Sequence, residues 1–223
     1  MNDDLLDALH SEPVPPPTEI LDGVTGWLTA DEEAALHLLG RLASSPILEV
    51  GPWLGRSTVC IASGIAEREQ SVPFTTVELN PGVDNWQKRG DVWDFVPDLD
   101  MPPLGGVDER GWKDIEPVIS HPLGVVGQLQ QNLERAGVAS LVTVVVGDVR
   151  TVELDGPFGC IFSDTMHSVE EIERYGEAFR GLLADGGVFA CHDMTPENRQ
   201  ALGKVFDFLW WVQIDALFVG RVR

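Results

Sequence analysis

The first regular signal along the chain is helical. Thr29 and Glu32 stand three residues apart in the form of a capping box, and Ala35, Leu38, Leu39 and Leu42 follow at the spacing of one helix face. The pattern then changes to short apolar runs separated by helices. Residues 46–50 (PILEV), 74–79 (FTTVEL), 141–146 (LVTVVV), 158–163 (FGCIFS) and 188–191 read as buried strands. Helices are expected over 57–66 and over 124–136, the latter with Val126, Leu129 and Leu133 on one face. Another is expected over 168–183, opened by Ser168 and Glu171 as a second capping box and closed by the turn Asp185-Gly186-Gly187. A helix near 196–209 and short strands near 211–214 and 217–222 complete the series. Strands alternating with helices at these lengths predict an α/β fold, a Rossmann-like, doubly wound and mostly parallel seven-stranded sheet with helices on both faces.

Two segments stand outside this alternation. Residues 1–28 read as an N-terminal arm, stiffened by Pro13, Pro15, Pro16 and Pro17, and the main domain is expected over 29–223. Residues 82–120 hold Trp86, Trp93 and Trp112 among several Pro and Gly with no clean period. A segment that long inside one domain reads as a lid or substrate-contacting insertion. The competing reading is a small subdomain that packs its own tryptophans.

Charge narrows the partners. The chain carries a formal net charge of −21 over 223 residues, with nine acids and no Lys or Arg in the first forty. Nucleic acid and anionic membrane surfaces reward clustered Lys and Arg, so neither is expected as a partner. No apolar run approaches a membrane span, and MNDDLLDALH lacks the basic start and apolar core of a signal peptide. Cys60, Cys160 and Cys191 are far apart, which points away from disulfides and toward a cytoplasmic location.

Candidate chemistry begins at the first strand. Glu49-Val50-Gly51-Pro52-Trp53-Leu54-Gly55-Arg56-Ser57 joins that strand to a helix. In open α/β sheets ligands bind outside the carboxyl ends of the strands. The spacing is neither GxGxxG nor GxxxxGK[ST], so a dinucleotide fingerprint and a phosphate cradle are both excluded. Glu49 at the strand end suits a ligand that carries a cation. Glu78 ends the next strand, where an acid commonly takes the two hydroxyls of a ribose. The pair points to a nucleoside ligand.

The motif Glu49-x-Gly-x-x-x-Gly-x-Ser57, with Glu78, Gly147-Asp148 and Asp164 each after a strand, resembles class I S-adenosylmethionine-dependent methyltransferases. It is most similar to metal-dependent small-molecule O-methyltransferases of the macrolide-sugar and catechol types. The resemblance implies S-adenosylmethionine as cofactor. Glu49, Gly51, Trp53, Gly55 and Ser57 would surround its methionine part, Glu78 its ribose and Asp148 its adenine, with Asp164 close by. It also implies a small-molecule acceptor and admits a homodimer.

A second constellation is Asp164-Thr165-Met166-His167 with His192-Asp193 at the end of the next strand. Asp164, His192 and Asp193 are candidate ligands of one divalent metal, Mg²⁺ first among them. The resembling enzymes carry an acid at the position of His192 and a second acid where Met166 stands. Their Asp-x-x-His implies that Asp164 ligates metal and that His167 is the general base, for which an imidazole near its ordinary pKa of about 6.5 is well placed. Two other readings stay open at this point: a cofactor-binding or assembly protein without catalysis, and another metal-dependent reaction on the same fold.

Overall fold

The computed structural model describes residues 4–11, 16, 18–96 and 103–223. Pro13, Pro15 and Pro17 of the expected stiff arm lie outside the described residues. Around them two short helices form, α1 (Asp4–His10) and α2 (Thr18–Leu21). The arm is therefore not simply extended. Leu5 and Leu9 of α1 and Leu21 of α2 are buried in the main core, a burial large enough to hold helices too short to persist alone.

The main domain starts with α3 (Ala30–Leu42), capped as expected by Thr29 and Glu32. It continues through β1 (Ile47–Val50), α4 (Arg56–Ala66) and β2 (Phe74–Glu78). After the insertion come α6 (Gly124–Arg135), β6 (Thr143–Val146), β7 (Phe158–Ser163), α7 (Val169–Leu182), β8 (Leu183–Cys191), α8 (Pro196–Val205), β9 (Phe208–Ile214) and β10 (Leu217–Val222). These strands form one seven-stranded sheet in the order β6-β2-β1-β7-β8-β10-β9. Every pairing is parallel except the two made by β10. The mostly parallel α/β sheet read from the sequence is thus present. The chain's direction of winding reverses at β1, between β2 and β7, where doubly wound sheets open a strand-end crevice.

Element ends differ from the sequence reading in three places. The expected helix 196–209 stops at Val205, because Phe208 pairs with Val222 and begins the last hairpin. Strand β8 starts at Leu183, so the Asp185-Gly186-Gly187 turn falls inside its span, at a pairing irregularity with β7. On α6 the buried face is Val125, Leu129 and Leu133 rather than one containing Val126.

The insertion has its own order. Strands β3 (Trp86–Arg89), β4 (Val92–Phe95) and β5 (Leu104–Asp108) form a three-stranded antiparallel sheet, followed by α5 (Glu109–Ile119). Trp93 stacks on Trp112 at 3.9 Å between centroids and 8° between planes, and Trp86 meets the edge of Trp112 at 5.6 Å. The tryptophans therefore serve first as the insertion's own core.

Candidate functional site

The carboxyl ends of β1, β2, β7 and β8 open into one cleft of about 950 Å³, within the range of small-molecule sites. The loop after β1 forms one wall. Gly51 adopts a φ of +85°, and a Cβ there would lie 2.7 Å from Thr165 Cγ2 and 2.8 Å from the Asp164 carbonyl oxygen. Only glycine lets the β1 and β7 loops approach this closely. Gly55, at φ +92°, has a different reason. A Cβ there would strike Leu129 of α6 at 2.6 Å, so it serves helix packing and does not line the cleft.

Glu49 is also displaced from the role the sequence suggested. It is fully buried in the central strand and accepts hydrogen bonds from Ser57 Oγ (2.6 Å) and Thr58 Oγ1 (2.7 Å) in the first turn of α4. Burial pushes its carboxyl up to about 7, against the pull of those hydroxyls. It does not line the cleft. The eight-residue spacing from Glu49 to Ser57 is the span of the loop it braces from below.

Glu78 lines the cleft. Its Oε2 accepts from the Trp53 N–H (3.1 Å) and its Oε1 from the Asn80 N–H (2.9 Å). Burial again dominates and raises it to about 7. Trp53 lines the same wall at a φ of +51°, 6.3 Å from Trp27 of the arm. Asp148 is gripped by Arg150, whose guanidinium sits 5.0 Å over the Tyr175 ring. Partial burial raises the Asp148 carboxyl, but Arg150 more than offsets this and holds it below its ordinary value.

Opposite these residues lies a network of acids and imidazoles. Asp164 Oδ1 is 3.7 Å from His167 Nε2 and 3.3 Å from His192 Nδ1, while Asp193 Oδ2 is 3.7 Å from His167 Nε2. Burial works to raise Asp164, but the two imidazoles overcome it and hold the carboxyl near about 2. His167 is half-exposed. Desolvation works to lower its pKa, but Asp164 and Glu171 raise it to about 10. The neutral imidazole expected from the sequence is therefore an imidazolium at pH 7 in this arrangement, because two carboxylates face it.

Among the described residues, the group whose donor atoms converge within 4.8 Å, as a metal site requires, is Asp164, His167 and Asp193. His192 stands beside this group, its Nδ1 3.3 Å from Asp164 Oδ1 and 3.6 Å from Asp193 Oδ1. Its Nδ1 faces Asp164 and its Nε2 lies 3.4 Å from Glu32 Oε1, so both ring nitrogens are turned to carboxylates. Met166, where the resembling enzymes carry an acid, is fully buried in the core behind the site.

Two site residues were hidden in the sequence by a local role. Glu32 completes the α3 cap through the Thr29 N–H (2.8 Å), but also accepts from the Ala216 N–H (2.8 Å) and faces His192. Glu171 pairs with Ser168 at the start of α7 and reaches to 3.7 Å from His167 Nδ1. In each case the capping box accounts for the acid, and nothing in the sequence signals a second contact. Trp86 lines the cleft, whereas Trp93 and Trp112 do not.

A mostly parallel α/β sheet with a strand-end cleft and acids at the ends of β2, β7 and β8 defines a ligand-binding protein of the doubly wound class. Residues 48–194 match the family model described as Methyltransferase domain, and the chain belongs to that family. The fold recurs in solved structures. Cofactor-bound Rv0187 from MTB shares 19% identity at a TM-score of 0.55, covering 100% of this chain and 91% of that one. The O-methyltransferase TomG from Streptomyces achromogenes, involved in tomaymycin synthesis and solved with SAM, shares 18% at 0.53, over 100% and 90%. An O-methyltransferase from Bacillus cereus in complex with SAH shares 16% at 0.53, over 100% and 92%. No match was found among curated proteins. Among the described residues no helix is long and apolar enough to cross a membrane.

Proposed function

We propose that the protein transfers the methyl group of S-adenosylmethionine to a hydroxyl of a small molecule. The observation that carries this reading is the two-sided cleft: Gly51, Trp53 and Glu78 on one wall, Asp164, His167 and Asp193 across from them. The chain's methyltransferase family and neighbours solved with SAM or SAH support the cofactor.

Glu78 fits the ribose. Each of its oxygens already holds one backbone N–H and keeps a lone pair for a hydroxyl. The close Gly51–Thr165 approach leaves the loop backbone facing the cleft, where a methionine tail needs hydrogen-bond partners. Asp148, beside Tyr175 at the far side, suits the adenine amino group.

In the reaction the acceptor O–C bond forms as the sulfonium S–C bond breaks. The hydroxyl proton leaves to a base, and the demethylated cofactor departs neutral at sulfur. The residues fit a divalent cation as well, since Asp164 and Asp193 offer hard oxygen ligands beside the His167 imidazole. Bound there, the cation supplies Lewis acidity to the hydroxyl and takes up the carboxylate charge that keeps His167 protonated. His167 Nε2, lying between Asp164 and Asp193, is the base assigned to the hydroxyl proton. Glu171 holds the other ring nitrogen and so fixes the ring's orientation.

Calorimetric titration with S-adenosylmethionine and its demethylated product, with Mg²⁺ and with chelator, tests the reading. Micromolar binding of both is expected, with methyl transfer that drops in chelator. Asp193→Asn is expected to cut transfer at least tenfold while changing cofactor affinity less than threefold. Binding of neither compound removes the cofactor assignment, and full activity in chelator removes the cation.

A further inference from the structure

Three helices start beside the site with a hydroxyl-bearing cap residue, and the third departs from the other two. At the start of α3 and of α7 the acid three residues past the cap, Glu32 or Glu171, turns back to its own cap residue. At the start of α8 Thr195 Oγ1 accepts from the Asn198 N–H (3.2 Å) in the usual way, but the Asn198 side chain turns elsewhere. Its Nδ2 donates to the His167 carbonyl (3.1 Å) and to the Asp193 carbonyl (3.3 Å). Asn198 is buried, and it does not line the cleft.

Those two carbonyls belong to the loops that follow β7 and β8. The ladder between these strands reaches as far as the His192 N–H, which donates to the Ser163 carbonyl (3.1 Å). Past that bond Asn198 takes over, linking the backbone of His167 to that of Asp193 through one nitrogen. An amide nitrogen carries two N–H donors, so it satisfies two carbonyls at once, which a hydroxyl or a carboxylate does not. Asp193 also stands at a φ of +55°, in the left-handed region that a residue with a side chain keeps only when its surroundings hold it there. The bond from Asn198 to its carbonyl is part of that hold. In this conformation Asp193 Oδ2 lies 3.7 Å from His167 Nε2.

We propose that Asn198 is a positioning residue, a clamp that sets the spacing at which His167 and Asp193 face one divalent cation. This rests on the cation assigned under the methyl-transfer reading and adds to it the device that fixes the site's bite. Asn198 acts through the backbone of both residues and touches neither cofactor nor acceptor. With the clamp in place, donor atoms of Asp164, His167 and Asp193 stay within 4.8 Å of one another. Without it, the β7 and β8 loops are free to spread and Asp193 to leave its left-handed conformation. The wall formed by the loops after β1 and β2 makes no hydrogen bond to Asn198, so cofactor binding does not depend on the clamp.

The test measures Mn²⁺ binding to the full chain by electron paramagnetic resonance, with binding of the demethylated cofactor read by calorimetry on the same samples. Two variants remove the clamp: Asn198→Ala, and Asn198→Leu, which keeps much of the side chain's bulk and loses both donors. Each is expected to weaken Mn²⁺ binding about tenfold or more, the usual effect of removing a group that orients metal ligands, and to change cofactor affinity less than about threefold. Thr195→Ala is the control. It removes the α8 cap and lowers Tm while leaving the Nδ2 bonds, and is expected to hold Mn²⁺ within about threefold of the native chain. Clamp variants that bind Mn²⁺ as tightly as the native chain overturn the proposal. So does an equal loss in Thr195→Ala, which would reduce Asn198 to support for the helix end. A native chain that binds no Mn²⁺ removes the cation and this inference with it. The expected Mn²⁺ pattern without cofactor binding supports the clamp and sinks the methyl-transfer reading instead.

Discussion

Glu78→Gln isolates the contact assigned above to the ribose of the proposed cofactor. In the native chain each carboxylate oxygen accepts one backbone N–H, from Trp53 and from Asn80. Glutamine keeps one acceptor and turns an NH₂ toward the other N–H, which costs about 1–3 kcal/mol. Against this stands the charge. Glu78 is raised from 4.5 to about 7 by burial, so between these values the folded chain holds a proton that the unfolded chain has lost. Its contribution to stability therefore falls as pH rises from about 4.5 through 7 and stays lost above. At pH 8 that penalty is about 3 kcal/mol, because each pH unit separating the folded and unfolded titrations is equivalent to roughly 1.4 kcal/mol. Glutamine removes it, the two effects nearly cancel, and the variant is expected to fold with a Tm close to the native value. Binding is expected to respond quite differently. A ribose hydroxyl donating to a buried carboxylate contributes about 1.5–3 kcal/mol, so losing one such bond weakens affinity about 10- to 100-fold. Because free Glu78 titrates near 7, native affinity is expected to rise about tenfold from pH 6 to pH 8, and the glutamine variant to show no such rise. Calorimetry with 5′-methylthioadenosine, which keeps the ribose and lacks the titrating amino acid, reads both effects. A folded Glu78→Gln variant that binds this probe as tightly as the native protein refutes the ribose assignment.

Other outcomes follow from the same geometry. Glu49→Ala strands the Ser57 and Thr58 hydroxyls in the core and is expected to cost about 2–4 kcal/mol in chemical denaturation. Gly40→Ala places a Cβ 2.0 Å from the Ile61 carbonyl oxygen where α3 crosses α4, and is expected to cost about 3 kcal/mol by the same measure. His167 and His192 are raised to about 10 and about 9, so the stability they lend is complete below pH 6.5 and lost as pH climbs through those values. The cation-free protein should accordingly lose Tm between about pH 7 and pH 10. Asp164→Asn, which removes the carboxylate both imidazoles face, should flatten that decline and move both histidine titrations seen by NMR downward.

The parts of the site that were legible in the sequence lie where one residue has one job. β1, its loop and α4 could be read because an apolar run, a glycine-bearing turn and a helix start follow each other without interruption. Asp164, His167 and Asp193 could be placed near each other because β7 and β8 were recognisable as neighbouring strands. The insertion could not be read. Its strands are four or five residues long, and Asp94 in the middle of β4 is buried against Arg89, which breaks the apolar alternation a strand should show. Helix α1 was missed because seven residues beside a proline cluster carry too little period, and tertiary burial of Leu5 and Leu9 makes up the difference. Glu49 was misplaced for another reason. An acid at a strand end says nothing of which way it faces, and here the first turn of α4 supplies two hydroxyls below the sheet end.

The stacked tryptophans of the insertion have an engineering consequence. Trp93 and Trp112 stack within the segment that supplies Trp86, Phe95 and Asp114 to the cleft, and Leu54 and Val125 of the main domain complete the same cluster. The segment is attached after β2, while Gly51, Asp148 and Asp164 are carried by the large sheet. The cleft therefore has two walls drawn from different parts of the chain. On the methyl-transfer reading proposed above, exchanging residues 82–120 between relatives is expected to change the acceptor while leaving binding of the methyl donor in place.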